Sequence, residues 1–220
     1  MKGNGILRAY IEYEVRDQNG KLVTKKRIPC KSLVANFLRY LRRLWMTEGI
    51  TCAGTLPASY CGFSGTEPQD TTPTARPVLT GVGGSGAPVT SPIMKIDCGV
   101  GVVTSGIRVG TNNTAVNISQ TSLYTPIAHG VGAGQLTHGA CTLDVLIESN
   151  PTVTLKIIRT FSNGSGDTIT VKEIGLFCYG FVAATPTYAS FMLGRDVPSP
   201  TIDVLNGQTL TVRYILTTTV

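Results

Sequence analysis

Apolar and polar residues alternate along a segment close to the start of the chain. In residues 6–15, ILRAYIEYEV, every second side chain is apolar or aromatic, and most of the intervening ones are charged. A period of two is typical of a strand with one buried face. The dipeptide Asn19-Gly20 suits a tight turn, and a second strand is predicted from Leu22 to Ile28. The pattern therefore predicts an N-terminal β-hairpin.

The period then changes to that of a helix. Ser32 is a suitable N-cap, and apolar residues recur at helical spacing over residues 33–47, before Gly49 as a C-terminal stop. An amphipathic helix is predicted, and its apolar stripe must pack on the body of the protein or on a neighbouring molecule. The stripe includes Leu33, Phe37, Leu41 and Trp45, and the basic residues on the other side are Arg39, Arg42 and Arg43.

The period of two returns after residue 97. Residues 50–97 are rich in Gly, Pro, Ser and Thr without a sustained period, which predicts an extended loop. Strands that alternate with turn signals, without intervening helices, predict an antiparallel β-sandwich or jelly-roll body over residues 98–220. Residues 1–49 would then form a basic hairpin–helix module. The body strands are predicted near residues 100–109, 138–148, 152–161, 168–178, 188–194 and 208–218.

Positive charge is concentrated in the N-terminal module. The chain of 220 residues has a formal net charge of +6, yet residues 1–50 hold eleven basic and four acidic residues. Three interpretations of these basic side chains are open: they are solvated, they contact an acidic protein surface, or they bind phosphates. Nucleic acid is the least favoured partner, because no base-stacking aromatic set accompanies the arginines. On the second strand, Lys25, Lys26 and Arg27 either protect a sheet edge or contact an acidic partner.

Cysteine and histidine do not form a metal-binding motif. None of the six cysteines belongs to a C-x-x-C pair, and the chain has two histidines, so no metal or other cofactor is predicted. Cys98, Cys141 and Cys178 lie in apolar stretches and are expected to be buried. Cys52 and Cys61 flank a loop in which a disulfide between them would be feasible.

No catalytic constellation is predicted either. His129 and His138 are interpreted as hydrogen-bonding residues at the base of a hairpin rather than as ligands or a base. Glu173 is predicted to form a salt bridge with Arg159 or Arg195, since a catalytic role would need a second carboxylate within reach. No apolar run approaches the length of a membrane span, so a membrane partner is not expected.

Several segments resemble a family of structural proteins from tailed bacteriophages and prophages. The hairpin followed by SLVANFL is similar to the start of that family, and later motifs match it in order. The resemblance implies a virion component rather than an enzyme, and it supplies no active-site residues. The matching segments are IRVGT at 107–111, the HGVGAGQLTHG stretch within 122–139, TFSNGSGDTITVKEIGLF at 160–177, LGRDV at 193–197 and GQTLTVRY at 207–214.

The hypothesis from the sequence is therefore a structural protein of a tailed-phage virion, with a capsid-surface decoration or cement protein favoured. The alternatives are a tail, collar or fibre-attachment protein, or a module whose loops, 111–125 or 180–188, bind a host receptor or glycan. Expected partners are capsid or tail subunits and further copies of the chain, with closed cyclic symmetry such as a trimer. The expected contact residues are Lys25, Lys26, Arg27, Leu33, Phe37, Arg39, Leu41, Arg42, Arg43 and Trp45.

Overall fold

The computed structural model describes residues 6–30, 33–39, 70–72, 94–182 and 187–219. These residues form twelve strands whose ladders are all antiparallel, with helix only over 35–39. The expectation of a mainly β, antiparallel protein is confirmed. The strands are β1 Ile6–Arg16, β2 Leu22–Pro29, β3 Met94–Lys95, β4 Gly106–Gly110, β5 Thr137–Leu143, β6 Ile147–Ser149, β7 Thr152–Ser162, β8 Ile169–Val171, β9 Glu173–Val182, β10 Thr187–Asp196, β11 Ile202–Val204 and β12 Thr209–Thr219.

The larger sheet is built around the first and last strands. Its order is β2-β1-β12-β7-β5, and β6 pairs with β7 beyond the end of β5. β1 pairs with β12 along its whole length, from Ile6 opposite Thr219 to Arg16 opposite Thr209. The hairpin strand β1 is thus an interior strand of the body's own sheet. A division of the chain at residue 49 separates residues that share this sheet.

The second sheet is centred on β9. β10 pairs with one edge of β9, while β4 and β3 pair with successive parts of the other edge. A bulge between Met192 and Gly194 shifts the register of β10 against β9. Such an extra residue changes which side chains of the strand point inward. A separate two-stranded ladder joins β8 and β11.

One hydrophobic cluster includes buried residues of both sheets. Ile11 and Phe161 come from the larger sheet, and Ile174 and Phe191 come from the second. The Tyr214 hydroxyl also reaches across, donating a hydrogen bond of 3.3 Å to the backbone oxygen of Ile174. Burial of these alternating apolar residues is the main favourable term in the fold.

The predicted helix agrees with the structure over the part that is described. Val34 is buried in a small cluster with Leu123, Phe177 and Met192, and its amide bonds to the backbone oxygen of Leu193. The start of the apolar stripe therefore packs on the protein itself. Residues 40–47 lie outside the described residues.

The strand predicted over 100–109 is shorter than expected. β4 begins only at Gly106, and the residues before it form a loop in which Val100 is 69% exposed. The reason lies in the backbone, since Gly101 and Gly106 have φ values of +76° and +81°. Positive φ values interrupt a strand. The apolar residues at 100–105 predicted a strand, but the backbone there does not form one.

Substitutions on β1 test its place in the core. Ile11 is fully buried, whereas Leu7 on the same strand is 61% exposed. Ile11→Ala should lower the free energy of unfolding by about 2–5 kcal/mol, because it leaves a cavity between the sheets. Leu7→Ala should change it by less than about 0.5 kcal/mol. Urea denaturation would measure both, and equal effects would contradict the interior position of β1.

Candidate functional site

Two charged side chains form an ion pair with no access to water. Glu173 is the first residue of β9 and Arg195 is the penultimate residue of β10, so the ladder brings them to the same end of the second sheet. Arg195 Nε lies 2.7 Å from Glu173 Oε2, and both side chains are fully buried. The predicted salt bridge of Glu173 is confirmed with Arg195 as its partner.

The other hydrogen-bonding atoms of this pair bind backbone groups of residues 111–125, which we name the clamped loop. The Glu173 carboxylate accepts hydrogen bonds from the backbone amides of Tyr124 at 3.2 Å and Thr125 at 2.8 Å. The Arg195 guanidinium donates to the backbone oxygen of Thr114 at 2.9 Å. A buried ion pair must have its polar atoms satisfied, and here a loop without regular structure supplies them.

Glycine is required where β4 meets this pair. A Cβ atom on Gly110 would collide with Glu173 Oε1 and with the backbone oxygen of Thr125. The Gly of the IRVGT motif therefore leaves room for the carboxylate. That motif and the TVKEIGLF motif meet at one buried contact.

Arg159 on β7 is a second fully buried cation. Its guanidinium donates to the backbone oxygens of Gly139 and Ile107, each at 2.9 Å, and also to those of Ser105 and Val102. Within the described part of the chain, no carboxylate forms an ion pair with it. Burial lowers the pKa of Arg159, and the thiols of Cys98 and Cys141 lie close enough to affect it.

The two histidines are neighbours with different surroundings. His129 Nδ1 accepts a hydrogen bond of 3.0 Å from the backbone amide of His138, so its predicted hydrogen-bonding role is confirmed. The His138 ring is buried edge-on against Phe161, and neither of its nitrogens has a hydrogen-bond partner among the residues that the structure describes. Burial, reinforced by the charge of Arg159, lowers the pKa of His138 from 6.5 to about 4. His138 therefore packs as a neutral ring.

A cavity of about 320 Å³ opens beside the second sheet. The rings of Tyr179 and Tyr188 stack there with their centroids 5.2 Å apart and their planes 16° from parallel. Lys95, Thr104 and Cys98 also line the cavity. Aromatic faces beside polar groups are suited to binding a small polar molecule.

The predicted contact residues fall into three groups. On β2, whose described residues are mostly exposed, Lys25 pairs with Glu12 at 3.4 Å and Arg27 lies 4.1 Å from the centre of the Tyr10 ring. Lys26 is exposed beside them. These three residues form what we name the basic edge of the larger sheet.

The other two groups come from the segment predicted to be a helix. Leu33 and Phe37 are half-buried, with Leu33 bridged to Gly194 and Phe37 packed against the main core, while Arg39 donates to Asn36 Oδ1 at 3.2 Å. The described part of the stripe thus contacts the protein's own body. The remaining predicted contact residues lie outside the described residues, as do both cysteines of the loop: Leu41, Arg42, Arg43, Trp45, Cys52 and Cys61.

An exposed apolar segment at the other side of the larger sheet was not predicted. It runs from the end of β5 into β6, and Val145 is 84% exposed. The signal in the sequence is the run VLI between Asp144 and Glu148, which the prediction places at the end of a single strand over residues 138–148. We name this segment the apolar edge, and its exposed apolar residues are Leu143, Val145, Leu146 and Ile147.

The described residues contain no cluster of three or more His, Cys, Asp or Glu side chains that could hold a metal ion. None of the helical structure among them is long and apolar enough to span a membrane. No protein-family model, curated protein or solved structure matches the chain.

Removal of one charge from the buried pair should destabilise the protein strongly. Glu173→Gln leaves the Arg195 guanidinium without its anion, and we expect a loss of about 3–5 kcal/mol in the free energy of unfolding. Glu148→Gln, an exposed control, should have almost no effect. Chemical denaturation measures both, and a small effect at Glu173 would show that the pair does not hold the clamped loop.

The buried neutral His138 predicts a dependence of stability on pH. The folded protein binds fewer protons than the unfolded chain between pH 6.5 and 4, so stability is fully present above that range and falls as the pH drops through it. The loss should reach about 3 kcal/mol at pH 4.

Substitution isolates this contribution from that of the carboxylates. His138→Leu should remove the loss between pH 6.5 and 4, because no ionisable ring remains. His129→Leu should retain it, since His138 is still present. Thermal unfolding over this pH range provides the measurement, and the same slope in both variants would contradict the assignment to His138.

Proposed function

We propose that the chain is a non-enzymatic structural component of a tailed-phage virion, most favourably a decoration or cement protein on the capsid surface. In this proposal the two sheets pack as a β-sandwich of jelly-roll type. The protein acts by adhesion between repeated copies and neighbouring virion subunits rather than by chemistry. The observation that carries the proposal is the contrast between the two sides of the larger sheet.

The basic edge and the apolar edge lie on opposite sides of that sheet. β2 ends the strand order on one side, and β5 with β6 ends it on the other. Exposed strand edges are normally blocked, and exposed apolar segments mark surfaces that bind other proteins. A subunit with a cationic edge and an apolar edge is suited to contact two different neighbours in an assembly.

The polar face of the larger sheet supports the same function. Pairs of hydroxyls hydrogen-bond across β7 and β12, with Oγ1 atoms 3.2 Å apart between Thr152 and Thr219 and between Thr154 and Thr217. Threonine suits a strand and carries no charge. A neighbour can therefore cover the end of the face that holds these pairs at a lower desolvation cost than the part where Arg213 contacts Glu12 and Glu14. A modest interface is sufficient when many copies bind together.

The buried ionisable residues in and beside the motifs also favour a structural role. Glu173, Arg195, Arg159 and His138 are all buried, and three of them bond to backbone atoms or to one another. A catalytic acid, base or nucleophile must contact its substrate. These side chains hold loops and strands in place, as expected of residues with a structural role.

Cryo-electron microscopy of native particles tests the proposal most directly. Hundreds of copies on the head are expected for a decoration protein, assembled with closed cyclic symmetry such as a trimer. Five, six or twelve copies at one vertex would instead establish a collar or tail protein. Absence from purified particles would refute any virion role.

Charge removal tests the basic edge within the same particles. The triple variant Lys25→Gln, Lys26→Gln, Arg27→Gln should reduce incorporation about tenfold or more, equivalent to roughly 1.4 kcal/mol of binding free energy. A control, Lys172→Gln, removes one charge between β8 and β9, away from both edges, and should incorporate normally. Quantitative mass spectrometry of purified particles measures the copy number, and normal incorporation of the triple variant would exclude the basic edge as the anchor.

The stacked tyrosines favour one second candidate, a module that binds a host glycan. Sugars pack their apolar faces on aromatic rings, and Tyr179 and Tyr188 offer such a surface beside Lys95 and Thr104. Tyr124 lies elsewhere, with the Arg195 guanidinium 4.9 Å from the centre of its ring. A glycan array without hits, or hits that persist in Tyr179→Ala, would remove this candidate.

A further inference from the structure

We propose that Cys98 and Cys141 form an oxidisable pair, a modification site at which a hydroperoxide converts two buried thiols into a disulfide. Both residues are thiols in the structure. The inference rests on their geometry and surroundings, and it does not depend on the proposed function.

The backbone pairing brings the two cysteines to a Cα separation that suits a disulfide. Cys98 and Cys141 form an isolated antiparallel bridge, in which the amide of each donates to the backbone oxygen of the other, at 2.9 and 2.8 Å. Residues that exchange both hydrogen bonds have Cα atoms about 5.5 Å apart. That separation lies in the range observed for disulfides, whose Cα atoms are usually about 4.4–6.8 Å apart.

The two sulfur atoms also face one small space. A Cβ atom on Gly106 would lie 2.8 Å from Cys141 Sγ and 3.2 Å from Cys98 Sγ. Both sulfurs therefore converge on the same point, from which only a glycine at position 106 stays clear. Formation of the S–S bond requires rotation of side chains and no new pairing of strands.

Arg159 supplies the electrostatic condition for oxidation. Its buried guanidinium donates to four backbone oxygens and to no carboxylate among the described residues. A buried cation favours an anion nearby, and the neighbouring thiolate is the anion available. The hydrogen bond with Cys141 and the charge of Arg159 lower the pKa of Cys98. The same contact and burial raise the pKa of Cys141.

The cavity beside the second sheet assigns different roles to the two cysteines. Cys98 is the nucleophile, because a peroxide that enters the cavity meets its sulfur, and the thiolate is the form that reacts. Cys98 also lines the cavity of about 320 Å³ beside Tyr179 and Tyr188, whereas Cys141 does not. A molecule as small as hydrogen peroxide can reach the sulfur by this route. Cys141 is the resolving thiol.

The reaction balances with one peroxide for each pair. The Cys98 thiolate attacks one peroxide oxygen, the O–O bond breaks, and the departing hydroxide takes a proton to become water. Cys98 is then a sulfenic acid. The Cys141 sulfur, as it loses its proton, attacks the Cys98 sulfur and displaces hydroxide, which becomes the second water. Two thiols are oxidised by two electrons and one peroxide is reduced to two waters.

Peptide mapping of the full-length wild-type protein tests the proposal. The reduced protein is treated with hydrogen peroxide, blocked with an alkylating reagent, digested and analysed by mass spectrometry. We expect a peptide pair linked through Cys98 and Cys141, lighter by two hydrogens than the reduced pair. The link closes residues 98–141 into a loop, so the melting temperature should rise by roughly 10 °C and return on reduction.

Two variants keep the outcome interpretable. Cys178→Ala alters another buried cysteine and should still form the link. Cys141→Ala removes the resolving thiol, so a sulfenic acid should accumulate at Cys98 and react with dimedone. Recovery of both Cys98 and Cys141 as alkylated thiols from oxidised, subsequently unfolded wild-type protein would overturn the proposal. A link that joins either of them to a different cysteine would overturn it as well.

Discussion

The cost of removing a charge from water governs the architecture around β9. Glu173 and Arg195 are fully buried, and their attraction offsets the desolvation cost only if their other polar atoms are also bonded. Backbone groups of residues 111–125 provide those bonds, so the clamped loop has a fixed path although it contains no strand or helix. β4, β9, β10 and the loop are therefore one cooperative unit, and Gly110 leaves the space that this unit requires.

A second buried charge is satisfied in a different way. Arg159 bonds to backbone oxygens from the segments on either side of the bridge between Cys98 and Cys141. Burial, together with the charge of Arg159, lowers the pKa of the neighbouring His138. The HGVGAGQL segment lies between these residues in the chain. The fold at this place lowers the pKa of a histidine and of a thiol.

Much of the strand content could be predicted from the sequence, because alternation reports directly on a half-buried strand. β1, β7 and β12 were all predicted nearly to their ends, and the partner of Glu173 was one of two candidates. The apolar edge was not predicted, because a run of apolar residues is expected to be buried. The sequence does not show whether another segment covers those residues. The convergence of Cys98 and Cys141 depends on a pairing of segments far apart in the chain, which one sequence does not reveal.

The pairing of β1 with β12 has a consequence for synthesis. Glu12 and Arg213 contact each other across these strands although 201 positions separate them in the chain. A nascent chain produces β1 and β2 long before the strand that completes the edge of β1 exists. Until then that edge displays unpaired amide and carbonyl groups, which can pair with the equivalent strand of another copy. The pairing of β1 is thus completed only when β12 has been made. Until β12 pairs with β1, strand exchange between copies competes with correct folding.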